Sequence, residues 1–177
     1  AKQIYWEVKS YEKKVLKNSS TYWLIFELLW RDYFKFVSMK YGNKIFHLNG
    51  ISSVKREWNY DTKKINAWIN GKTKEPFIDS NMIELQKTGW MSNRGRQNVA
   101  SYLTKDLKID WRIGAAYFES MLIDYDVHSN YGNWMYNAGI GNDPLPERKF
   151  NPKIQSERYD PNKNFQTLEC IDEKLLV

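Results

Sequence analysis

From Trp23 to Tyr41, large apolar side chains recur in steps of three and four: Trp23, Phe26, Trp30, Phe34, Val37 and Tyr41. That spacing places them on one face of an α-helix, which "NSST" at 18–21 can cap and Gly42 can stop. The plan repeats on a shorter scale. Asp61 is placed to cap a helix carrying Ile65, Trp68 and Ile69, closed by Gly71, and Asp79 one carrying Met82 and Leu85, closed by Gly89. Two longer stretches follow, roughly 92–108 with Val99, Tyr102, Leu103 and Leu107 inward, and roughly 111–125 with Ile113, Tyr117, Met121 and Leu122 inward. No run alternates with period two, so the expected class is all-α.

The two ends of the chain read differently. "AKQIYWEVK" at the start looks like the inside of a helix, so a preceding segment is expected. After Gly139 the periodicity stops, and "NDPLPERKFNP" and "YDPNKN" hold four of the five prolines. The expectation is a helical domain over 1–141 with an irregular tail, 142–177, packed on it.

Composition narrows the function. A chain of 177 residues, 42% hydrophobic and 27% charged, is expected to form one globular domain. The most apolar stretch, 21–41, is interrupted by Glu27, Arg31, Asp32 and Lys35, so neither a membrane span nor a secretory signal is expected. Lysine and arginine outnumber acids by 27 to 21, a tilt toward an anionic partner. Eight tryptophans and twelve tyrosines suit either a core or a flat ligand. The single cysteine, Cys170, excludes an intramolecular disulfide and a CxxC metal site, and fits an intracellular, reducing compartment.

Chemistry-bearing residues concentrate in two stretches. "DYDVHSNYGNW" at 124–134 fails as a calcium loop: counted from Asp124 it puts Ser129 and Met135 where glycine and glutamate are needed, and counted from Asp126, Tyr131 and Asn137. The only histidines, His47 and His128, lack zinc-site spacing, so no metal site is expected. No GxSxG, P-loop or dinucleotide-binding GxGxxG occurs. Asp124 and Asp126 can act as an acid/base pair, or as caps and ion-pair partners at a helix end. In "TGWMSNRGRQNVASYLTKDL" at 88–107, a helix beginning near Ser92 would present free N–H groups beside Asn93, Arg94 and Arg96. This suits an anion; solvated charge with Arg96 paired to Asp106 or Asp124 is an equal alternative.

The same stretches, with "STYWLIFELLWRDYFKFVSMKYGNKIFHL" and "RKFNP", resemble the flavin-binding helical domain of the photolyase/cryptochrome family. "SNRGRQNVAS" is similar to its cryptochrome DASH branch, and the likeness runs from about residue 3 to about 160. The resemblance implies FAD folded among helices. Asn130 would face the flavin N5, Asp124 and Asp126 would line the isoalloxazine, Arg96 would pair with Asp124, and Asn93 would lie against the cofactor. Trp134, Trp111 and Trp58 match the family's electron-transfer chain, with plain core as the alternative. The lesion pocket matches Glu27, Trp30, Arg94, Gln97 and Tyr136. Gln97 and Tyr136 stand where double-strand-acting photolyases have methionine and tryptophan, as in DASH proteins. Glu27, mid-helix beside Trp23 and Trp30, would hydrogen-bond a flipped base or else face solvent. Arg94, Lys105, Lys108 and Arg112 would help hold the DNA backbone.

The implied activity is light-driven repair of cyclobutane pyrimidine dimers in single-stranded DNA, blue-light reception, or both. The chain departs from the family pattern by lacking an α/β antenna domain and the "LSPxL" segment that holds the FAD pyrophosphate. It also ends in "TLECIDEKLLV" where "WxPEL" is expected. Three readings follow: a fragment, one half of a split protein whose partner chain supplies the missing helices, or a flavin-free structural or interaction subunit on a truncated scaffold. Chloroplast, mitochondrion and nucleus all remain open as locations.

Overall fold

Side-chain caps set most of the helix starts in the computed structural model, which describes residues 1–167. Helix α1 spans Lys2–Lys14. Asn18 then accepts from the Thr21 N–H at 3.0 Å while Asn18 N–H donates to the Thr21 hydroxyl, and this reciprocal box opens α2, Ser19–Tyr41. Asp61 caps α3, Thr62–Ile69, by accepting from Lys63 and Lys64 N–H. Ser92 caps α5, Asn93–Ser101, and Asp110 caps α6, Trp111–Met121.

Helix α4, Pro76–Thr88, starts one turn earlier than the sequence predicts. Pro76, at the first position, already carries a helical φ and needs no donor. Asp79 is therefore not a cap. It accepts from Thr73 N–H (2.8 Å), the Thr73 hydroxyl (2.6 Å) and Lys74 N–H (3.1 Å), pinning the preceding turn. Gly89 closes α4 at φ 68°, as expected of a left-handed C-cap.

Three further differences have local causes. The stretch read as one helix over 92–108 is α5 followed by a π-turn, Tyr102–Asp106, where the Thr104 hydroxyl donates to Ala100 O at 2.7 Å. The stretch 111–125 ends at Met121, because Leu122 turns extended and Ile123 N–H donates to Gly89 O. The third is a helix over residues for which none was predicted. Helix α7, Val127–Ala138, capped by Asp126 accepting from Ser129 N–H at 2.9 Å, puts Asn130, Asn133 and Asn137 along one side.

Helix α7 packs between α2 and α6. Two glycines permit that approach: a Cβ on Gly132 would collide with the Phe34 ring, and one on Gly114 with the Trp134 ring. The main core gathers Trp68, Ile78, Met82, Leu85, Val99, Leu103, Ile109, Trp111, Phe118, Trp134 and Met135. Each large apolar side chain buried there contributes about 1.5–3 kcal/mol. On α2 only part of the predicted face is inward. Phe34 and Val37 are buried, Trp30 and Phe26 are half-buried, and Trp23 is 54% exposed. The other side of α2 is also apolar and open, with Leu29, Phe36 and Met39 exposed.

Among the described residues there is no strand, only an isolated bridge between Asn59 and Ile109. The tail is irregular except for one short helix, α8, Pro152–Tyr159, which Asn151 caps and which packs on α4. The prolines that signal a loop also supply Pro152, a favourable first helical residue. Asp160 accepts from Phe165 and Gln166 N–H, and Phe165 meets Phe77. Cys170 lies outside the described residues.

Candidate functional site

Helices α5, α6 and α7, with the segments leading into α5 and α7, line a half-open cavity of about 300 Å³. Its walls are apolar where Met91, Phe118, Leu122 and Trp134 face it. Its edge is polar, formed by Asn93, Arg96 and Gln97 from α5, Asp124 and Asp126 ahead of α7, and Asn130, Asn133 and Asn137 along α7. Every residue assigned to the cofactor by resemblance lines this one space, as does Trp134.

Arg96 is fixed on both sides. Its Nε donates to Met91 O at 2.8 Å, and its Nη2 reaches both Asp124 oxygens at 3.0 and 2.9 Å. Of the two partners the sequence left open, Asp124 is the one engaged; Asp106 pairs instead with Lys149 at 2.6 Å. The Arg96–Asp124 pair is partly exposed, so it adds at most about 1 kcal/mol of stability, and its effect is mainly orientation. For Asp126, burial opposes ionisation, but the Ser129 N–H and hydroxyl more than offset it and hold the carboxyl below its ordinary range. Asn130 is buried, and its amide nitrogen donates to Ala115 O at 3.0 Å, leaving its oxygen for the cavity.

The tryptophans are distributed along the core. Trp134 is 2% exposed and meets Phe118 edge-on at 5.1 Å and Trp68 at 6.2 Å. Trp111 is fully buried, donates its indole N–H to Leu48 O at 3.0 Å and meets Tyr131 at 6.0 Å. Trp58 is half-buried beside Asn59, whose bridge to Ile109 brings that segment alongside the start of α6. Its indole nitrogen has no acceptor among the described residues.

The lesion-pocket residues divide. Trp30 and Tyr136 meet edge-on at 6.3 Å across α2 and α7. Gln97 lines the cavity, with its side-chain oxygen buried and unpartnered. Glu27 is exposed on α2. The Arg94 guanidinium is turned to the tail, over the Tyr159 ring at 4.8 Å and Phe150 at 5.8 Å. Among the basic residues, Lys105 is committed elsewhere, donating to Ala138 O and Pro146 O, and Arg112 holds Asp110 at 2.7 Å. Burial, then the neighbouring Arg56, pushes Lys105 down to about 8.

Phe118, Asn133 and Asn137 line the cavity without having been singled out from the sequence. The asparagines had a signal: they follow Asn130 by three and seven positions, one helical face. Among the described residues no group of three His, Cys, Asp or Glu could hold a metal, and no helix is long and apolar enough to cross a membrane.

The residues present suit a flat heterocycle. A cavity of this size is at the lower end of ligand sites, roughly 300–1,000 Å³. Its apolar walls can sandwich a ring, while its edge offers amide oxygens and a fixed ion pair. That is a helical cofactor-binding domain. The comparisons make the class specific: the model for the FAD binding domain of DNA photolyase matches residues 23–168, and the chain belongs to that family. FAD is the cofactor bound by that domain in the family.

Similar proteins agree. Cryptochrome DASH of Danio rerio is 60% identical over 162 residues, covering 92% of this chain and 31% of the relative. Cryptochrome DASH of Arabidopsis thaliana, described as chloroplastic/mitochondrial, is 53% identical over 92% of this chain and 28% of its own. The crystal structure of a Synechocystis cryptochrome superposes with a TM-score of 0.89 at 56% identity, over 92% of this chain and 34% of that one. An archaeal photolyase from Sulfolobus tokodaii, solved with two FAD molecules, gives 0.78 at 33% identity, over 96% and 38%. The chain thus spans about a third of the length of the curated relatives it matches.

Proposed function

We propose that this chain is the isoalloxazine-facing part of a cryptochrome DASH-type flavoprotein that repairs cyclobutane pyrimidine dimers in single-stranded DNA. The observation that carries the reading is the convergence of Asn93, Arg96, Asp124, Asp126, Asn130 and Trp134 on one cavity. Residues 1–141 act as the flavin-binding domain and 142–177 as its tail. When bound, reduced FAD supplies the photochemistry, giving an electron to the dimer under blue light and recovering it after the ring splits.

The chain's own residues bind and orient. Asn130 presents its amide oxygen to the flavin N5 edge, held there by the bond to Ala115 O. Arg96 and Asp124 fix the polar edge, and Asp126 stays ionised beside it. Trp134, Trp111 and Trp58 carry electrons outward, because indole is readily oxidised; Trp134 lines the cavity and Trp58 is half-buried. Trp30 and Tyr136 stack on extruded bases, Gln97 and Glu27 hydrogen-bond them, and Arg94 holds a phosphate once released from Tyr159. The remaining two-thirds of the relatives' length, or a partner chain carrying it, supplies the phosphate side of the cofactor site. The site of action is an organelle or the nucleus.

Repair is tested by illuminating the flavin-loaded protein with a dimer-containing oligonucleotide, single-stranded and in duplex. The reading expects splitting of the single-stranded dimer, reduced by Glu27→Ala while flavin content holds. Flavin-loaded protein that leaves both substrates intact would assign it to blue-light reception. A second reading, an interaction subunit, is favoured by the apolar side of α2, where Leu29, Phe36 and Met39 stand 61%, 65% and 71% exposed. Such a subunit would purify without flavin.

A further inference from the structure

The three asparagines of α7 use their side chains alike. Asn130 donates its amide nitrogen to Ala115 O at 3.0 Å, Asn133 to Ser129 O at 2.9 Å and Asn137 to Asn133 O at 2.9 Å. A backbone carbonyl can only be matched by the nitrogen end of an amide, so each bond also fixes which end is oxygen. All three residues line the cavity, and among the described residues nothing donates to their oxygens. For Asn133, which is exposed, water meets that need. Asn130 and Asn137 are only 8% and 9% exposed, so their oxygens open to the cavity they line rather than to the outer surface.

Asn130 already has a partner in the proposed function; Asn137 has none. Seven residues separate them, about 10 Å along a helix axis, too far for one ligand atom to serve both. Across the cavity, the Gln97 side-chain oxygen is buried and equally without a donor. The cavity lining therefore offers both acceptors to a ligand.

We propose that Asn137 is a specificity-determining residue, its side-chain oxygen accepting a hydrogen bond from a ring or exocyclic N–H of a heterocycle bound in the cavity. The assignment rests on the flavin and dimer reading above. It selects an edge that carries a donor and disfavours one that carries acceptors alone. Such an N–H is present on both the cofactor's rings and a pyrimidine of the substrate, and the two sources are separable by experiment.

The test uses the flavin-loaded protein with Asn137→Leu and Asn137→Ala. Leucine keeps most of the volume and removes the unpaired oxygen. Two affinities are measured by titration, FAD against protein stripped of flavin, and an oligothymidylate carrying one cyclobutane dimer against the loaded form. Thermal midpoints are taken without ligand. The assignment expects Asn137→Leu to leave the ligand-free midpoint unchanged or raised, while one affinity falls about 2- to 12-fold, the worth of one neutral hydrogen bond. Loss confined to FAD identifies the cofactor as the donor, and loss confined to the dimer identifies the base. Both affinities unchanged in both variants, or a lowered midpoint with affinities intact, would overturn it. Wild-type protein that takes up neither FAD nor the dimer would instead sink the underlying reading, and the assignment with it.

Discussion

Gly114→Ala should destabilise the protein although it improves helix propensity. Gly114 is a buried residue of α6, and a Cβ there would overlap the outer ring atoms of Trp134 and approach Leu103 Cδ2 at 2.7 Å. Exchanging glycine for alanine within a helix is worth about 0.5–1 kcal/mol in favour of the variant. Against that, a methyl forced into a filled core costs about 1–3 kcal/mol. Trp134 has little room to yield, being 2% exposed and held by Phe118 and Trp68. The net expectation is a loss of about 1–2 kcal/mol, a fall in Tm of roughly 2–8 °C for a chain of this size. Thermal and urea unfolding followed by circular dichroism read it directly. The double variant with Trp134→Phe supplies the control, since phenylalanine lacks the ring atoms that collide. The two changes should then cost less together than the sum of each alone. A Gly114→Ala variant as stable as wild type, or strict additivity, would refute the packing of α6 on α7 described above.

Two other predictions follow from buried polar groups. Lys105 is depressed to about 8 from an ordinary 10.5, so the unfolded chain binds the proton more readily than the folded one. Stability should therefore rise with pH from about 8 toward 10, and Lys105→Met should abolish that slope; an identical slope in denaturant midpoints across pH would contradict it. Gln97→Met removes a buried, unpaired oxygen and should raise the ligand-free Tm, by an amount equivalent to about 1 kcal/mol, while weakening binding of the single-stranded dimer. A lower Tm with dimer binding intact would make Gln97 an ordinary core residue.

How much was legible beforehand depended on whether local chemistry decided the outcome. Asn18, Asp61 and Gly89 act where the sequence placed them, because caps and left-handed turns are local devices. The all-α class followed from periodicities that the structure keeps. Asp79 failed as a cap because Pro76 starts the helix without one. Helix α7 was missed although Val127, Tyr131, Trp134, Met135 and Ala138 keep a helical period, because Asn130, Asn133 and Asn137 interleave polar positions among them. Trp23 was expected inward because spacing gives a face but not its covering; α1 reaches the start of α2 but leaves Trp23 54% exposed. That Asn93, Arg96, Asp124, Asp126 and Asn130 belong together was legible, and they line one cavity; that Asn133 and Asn137 join them there emerged only once α7 had a direction.

The central claim is that the cavity between α5, α6 and α7 holds a flavin. Its most direct test is the visible absorption of the purified protein, in the longest form or complex that can be isolated, with extraction and quantification of any chromophore. The account predicts a yellow protein with about one FAD per chain that bleaches under blue light with a reductant, more slowly in Trp134→Phe at unchanged flavin content. A colourless protein with no extractable flavin, taking up none on addition of FAD, would contradict it.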